Sequence, residues 1–104
     1  MGWFTKSGEE RFAVLVHVKN VLLEDSAGVE RLGGAYQWQY LYAPDRDRAA
    51  KLAIDSVMSS EAFLNEVRGN VVGEAFAEEI VPVRRGDKRT ALVFYIDDEL
   101  EAGH

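Results

Sequence analysis

From residue 12 to 23 the chain reads Phe-Ala-Val-Leu-Val-His-Val-Lys-Asn-Val-Leu-Leu, rich in β-branched residues and apolar at both parities through its first half. This predicts a strand with Phe12, Val14, Val16 and Val18 on one side and Ala13, Leu15, His17, Lys19 and Val21 on the other. A polar connection over residues 24–34, carrying Gly28, Gly33 and Gly34, leads to a second strand over 35–42. An antiparallel hairpin with a long loop is the simplest link. In the second strand Tyr36, Trp38, Tyr40 and Tyr42 fall on every second residue, so one of its faces is aromatic.

Pro44 stops that strand, because it cannot donate to a ladder, and Asp45 is placed to cap a helix. Asp47 sits in the first turn, where the helix dipole favours an anion. Ala50, Ile54, Val57 and Met58, with Ala53 beside them, then form a stripe at helical spacing. Ser59-Ser60 breaks the pattern and can recap a short second helix over 61–68, with Phe63, Leu64 and Val67 on its apolar side and Gly69 placed for its C-terminal cap. A third strand is expected over 71–83, with Phe76, Ile80 and Pro82 on one parity and Ala75, Ala77, Val81 and Val83 on the other. Pro82 argues for an edge position or a strand end. After a basic turn over 84–89, residues 90–97 form the cleanest buried strand.

The order β-β-α-α-β-β implies an α+β fold, an antiparallel sheet of about four strands with the helices packed on one face. A single-sided sheet should alternate apolar and polar residues, yet the first and last strands are apolar at both parities. The second face therefore needs a cover, and a second copy of the chain or another protein is the economical one. Residues 1–104 read as one domain, with 1–11 a polar, loosely ordered lead-in and 99–104 an acidic tail.

Composition narrows the functional classes. With 47% hydrophobic and 29% charged residues the chain is of globular type. It has no cysteine, which excludes disulfides and thiolate metal sites. No apolar run has membrane-helix length, and residues 1–6 show neither a signal-peptide core nor a myristoylation pattern, so a cytoplasmic location and no membrane partner are expected. A net charge of −6 makes nucleic-acid binding an unfavoured reading, although Arg84, Arg85, Lys88 and Arg89 cluster around one turn. Charge there, as in the tail, is explained first by solvation.

No nucleotide-binding, nucleophile-elbow or metalloprotease motif occurs, and no cofactor is implied. Arg85-Gly86-Asp87 reads as a turn. Asp97-Asp98-Glu99 lacks the spacing and glycine of a calcium loop, so no metal site is assigned. His17 is the only histidine apart from the terminal His104, and no acid–base partner for it is readable. No catalytic residue is assigned, which weighs against an enzyme. The candidate binding residues are Tyr36, Trp38, Tyr40, Tyr42 and His17. Four rings with polar tips suit a core only if each tip finds a partner, and they suit a wet interface without that condition. Two readings follow: a small cytoplasmic, non-enzymatic interaction or regulatory module acting as a homodimer, or a small-molecule binding protein or enzyme with an aromatic-lined pocket between sheet and helices.

Overall fold

The computed structural model describes residues 9–67, 73–83 and 92–97. Four strands, β1 (Glu10–Glu24), β2 (Glu30–Ala43), β3 (Glu74–Pro82) and β4 (Val93–Ile96), form one antiparallel sheet in the order β3-β1-β2-β4. Helices α1 (Arg46–Met58) and α2 (Glu61–Glu66) pack against it, giving the α+β order β-β-α-α-β-β.

The core lies between β1 and the helices. Phe12, Val14, Val16 and Val18 are buried there with Ala35, Ala43, Ala49, Ala53, Val57 and Phe63. Burying a valine or phenylalanine side chain contributes about 1.5–3 kcal/mol, so this row dominates the apolar stabilisation. Val21 and Leu23 join the same core, although simple alternation would send Val21 to the opposite face. The cause is a β-bulge at Asn20, which adopts φ 59 and shifts the register between Lys19 and Val21. Asparagine tolerates that left-handed conformation, and the extra residue flips the parity beyond it.

The hairpin loop is shorter than the glycines suggest. It covers only Asp25 to Val29, with Gly28 at φ 82, while Gly33 and Gly34 lie inside β2. Asp25 organises the loop. Its carboxylate accepts from the backbone N–H groups of Ala27 and Val29 and from Arg31 Nε at 2.8 Å. The Val29 N–H, more than any other partner, holds the Asp25 carboxyl below its ordinary range.

Asp45 caps α1 as the sequence predicts, its side chain accepting from the Arg48 N–H at 2.9 Å. Asp45→Ala should cost about 1 kcal/mol in chemical denaturation. Pro44→Ala should cost less, because that proline supplies no hydrogen bond; the reverse ranking would mean that the junction is held differently. Arg46 donates to the Ile80 carbonyl at 2.7 Å and fastens the start of α1 to β3. The buried line of α1 is Ala49, Ala53 and Val57, one position away from the expected stripe, and Ala50, Ile54 and Met58 flank it half-buried. Small alanines at the contact let the helix lie close, and the larger side chains fill its flanks. Ser60 caps α2 by accepting from the Phe63 N–H. Phe63 is buried against Phe94, but Leu64, expected on the apolar side, is 55% exposed.

Both late strands lie at sheet edges, which suits Pro82 in β3. A register shift opposite Leu15 and Val16 divides β3, so Ile80 and Pro82 pair with the core row while Phe76 pairs with His17 on the other face. The expected common parity of these three residues does not hold across the bulge. Strand β4 is four residues long, half-buried apart from an exposed Val93, and is not the most buried strand. Glu10 and Arg11, expected in a loose lead-in, begin β1. Residues 1–8, the Gly69 cap, the 84–89 turn and the acidic tail fall outside the described residues.

Candidate functional site

Cross-strand partners share a face, so the β1–β2 register places every ring of the aromatic stripe. Tyr42 pairs with Arg11, Tyr40 with Ala13, Trp38 with Leu15 and Tyr36 with His17. These are the β1 residues that alternate with the core row, so all four rings lie on the sheet face opposite the helices. The intervening residues point the other way. Gln39 accepts from Ser56 of α1 at 3.2 Å and donates to Gln37 at 2.8 Å. In mid-strand, β2 therefore turns its polar parity toward the helices and its aromatic parity away from them. Among the described residues these rings stand on the face away from the helices.

This open face has two halves. Toward the Arg11 end lie Ala13, Leu15, Trp38, Tyr40, Tyr42 and Val81, an apolar patch with the Arg11 guanidinium 5.5 Å from the centre of the Tyr40 ring. Trp38 and Tyr40 are half-buried by their neighbours, while Tyr42 is 50% exposed. Toward the Lys19 end lies a polar network built on His17.

His17 is 6% exposed, the only buried polar or charged side chain among the described residues. Its ring stacks on Tyr36 at 4.1 Å with a 15° interplanar angle, and Phe76 meets it edge-on at 5.1 Å. Both ring nitrogens are bonded: Nδ1 lies 2.7 Å from Glu78 Oε2, and Nε2 lies 2.7 Å from the Tyr95 hydroxyl. One residue from each strand thus meets in a line across the sheet: Glu78, His17, Tyr36 and Tyr95. Two sequence details permit this. The bulge in β3 lies at Glu78, between the Glu79 and Ala77 pairings. Gly34 sits under the Tyr95 ring, where a Cβ would collide with the ring, its hydroxyl and the Val18 carbonyl. Without a side chain at Gly34, Tyr95 crosses β2 and reaches β1. A mid-strand glycine costs about 0.5–1 kcal/mol relative to alanine, so its place here is paid for by that approach.

An ionised Glu78 can only accept, so Nδ1–H donates to it; a neutral imidazole then accepts at Nε2 from the Tyr95 hydroxyl, and an imidazolium donates there instead. Burial first, then the charges of Tyr36, Asp97 and Glu78, raise the Tyr95 phenol above its ordinary 10.0, so it remains protonated at neutral pH. A hydroxyl, an imidazole and an orienting carboxylate in hydrogen-bond sequence form the arrangement in which a base is held ready beside an acid.

Of the five residues singled out from sequence, all lie on one face; His17 and Tyr36 join in the network, whereas Trp38, Tyr40 and Tyr42 belong to the apolar half. Glu78, Tyr95 and Gly34 escape the sequence reading. The pair of glycines beside an aromatic strand is the one signal that could have found them. Among the described residues no group of three or more acidic or histidine side chains could hold a metal ion, and no helix is long and apolar enough to cross a membrane. No family model, curated protein or solved structure matches this chain.

Proposed function

We propose that the protein is a small interaction or regulatory module that works as a homodimer, with its open sheet face as the contact surface and the apolar half as the centre of that contact. The observation that carries this reading is the inverted polarity of β2, with Gln37 and Gln39 toward the helices and Trp38, Tyr40 and Tyr42 away from them. Exposed aromatic patches of this kind are what interfaces are made of, and tryptophan, tyrosine and arginine are their usual anchors. The patch has an apolar centre, Leu15 and Trp38, with Ala13 buried among its neighbours, and charged residues around it, Arg11, Lys19, Glu74 and Glu79, the pattern of a desolvated core within a polar rim.

A second copy fits the dimensions. From Arg11 to Lys19 the face is roughly 30 Å long, and three to four strands make it roughly 15–20 Å wide. Two whole faces together offer roughly 900–1,200 Å² in projection, at or below the floor for a stable interface, so the contact is centred on the apolar half and extends along the face toward Lys19. An isologous pairing brings the same patch to both sides, so one self-complementary surface suffices. The net charge of −6 opposes association at long range, and salt screens that term beyond about 10 Å at 0.1 M. Concentration-dependent NMR shifts locate the contact. They should cluster on Leu15, Trp38, Tyr40 and Tyr42 and spare Leu52 and Leu64 on the helices; the opposite distribution would assign association to the helical side.

A further inference from the structure

We propose that Tyr95, His17 and Glu78 form a proton-relaying binding site for a small planar molecule that carries a phenolic or enolic hydroxyl. The network has two protonation states with the same heavy-atom positions. In one, the Tyr95 O–H donates to Nε2; in the other, an imidazolium Nε2–H donates to the Tyr95 oxygen, and Glu78 accepts from Nδ1–H in both. In the first state the phenol oxygen keeps lone pairs free for an incoming donor. A ligand O–H bonded to that oxygen can pass its proton to Tyr95 while the Tyr95 proton moves to His17 Nε2. The imidazolium formed remains paired with Glu78. One proton leaves the ligand and one arrives at His17, and no other reactant is needed.

The surroundings select the ligand class. The titratable groups at this end of the face are Glu78 and Glu74 from β3, Tyr36 from β2, Tyr95 from β4 with Asp97 after it, and Lys19 on β1. Lys19 leans over Phe76, its Nζ 5.8 Å from the ring centre. Acids outnumber the single cation, so the ligand arrives as a neutral donor, and the oxyanion left by the transfer accepts from the Tyr95 O–H beside the imidazolium formed at His17. Tyr36 and the 56% exposed Val93 pair across β2 and β4, a flat apolar bed beside the Tyr95 ring. An aromatic ring with one hydroxyl satisfies both the bed and the acceptor. The site lies one row of the sheet beyond Trp38 and Leu15, within reach of a pairing second copy, so its titrations are read on the Leu15→Glu chain, which keeps the face unpaired.

Phenol and anisole distinguish this site, because they share the ring and differ in the donor. In NMR titrations of the full Leu15→Glu chain, phenol should bind about tenfold more tightly than anisole, the scale of one net hydrogen bond, and should move the His17 nitrogen signals. Tyr95→Phe, which removes one oxygen and keeps the ring, should reduce the preference to less than twofold. His17→Gln should abolish the nitrogen response and weaken phenol selectively. Equal binding of the two probes, no binding of either, or a phenol preference that survives Tyr95→Phe would each overturn the proposal.

Discussion

Trp38→Ala should weaken self-association by about 2–4 kcal/mol, roughly 30- to 1,000-fold in the dimer constant, and should cost the isolated fold much less. The difference follows from the side of the sheet on which the ring stands. Trp38 pairs with Leu15 on the face away from the helices and is half-buried there. A buried core tryptophan leaves a cavity when truncated and costs about 3–5 kcal/mol of folding stability. Trp38 stands on the other side of the sheet from Val14, Val16, Val57 and Phe63, so its removal leaves that core closed. Unfolding and association measured on the same variant separate the two outcomes. A large loss of folding stability with an unchanged dimer constant would mean that the ring acts as core.

Gly34→Ala should be among the most damaging substitutions that add a single methyl group, at about 1–3 kcal/mol. The new Cβ would meet the Val18 carbonyl and the Tyr95 ring at once. The carbonyl belongs to β1 backbone and cannot turn aside, and displacing Tyr95 breaks its bond to His17 Nε2. Gly28→Ala provides the control. Gly28 has the positive φ of 82 that disfavours a side chain, but nothing lies within 4 Å of its Cβ position. Thermal melts should therefore rank Gly34→Ala as the more destabilising. The opposite ranking would show that backbone strain in the loop outweighs the crowding under Tyr95.

Much of this architecture was legible because local signals agree with the tertiary outcome. Alternation marked β2, and Pro44-Asp45 and Ser60 marked both helix starts through hydrogen bonds that a cap residue makes to its own neighbours. Two bulges defeated parity. Asn20 and the segment at Glu78 each insert a residue whose effect depends on strand pairing, and pairing is not written in either strand alone. The glycines at 33 and 34 were misread for a related reason. Glycine in a turn and glycine under a crossing side chain look the same along the chain, and only the position of Tyr95 distinguishes them. The aromatic stripe was recognised from its spacing, but its side of the sheet was not. That depends on Val14, Val16 and Val18 winning the helix-covered face, and the opposite parity of β1 is apolar too at Ala13 and Leu15. His17 looked unpartnered because its partners lie 61 and 78 residues away.

The stripe stands on the sheet face away from the described helices, where a second copy can pair with it. Sedimentation equilibrium at micromolar concentrations tests that pairing most directly, on the wild-type chain and on Leu15→Glu, which sets a charge at the centre of the patch. The wild type should sediment at twice the 11.6 kDa chain mass and Leu15→Glu at the chain mass itself. A wild-type chain that stays at 11.6 kDa throughout would mean that the aromatic face does not pair with a second copy.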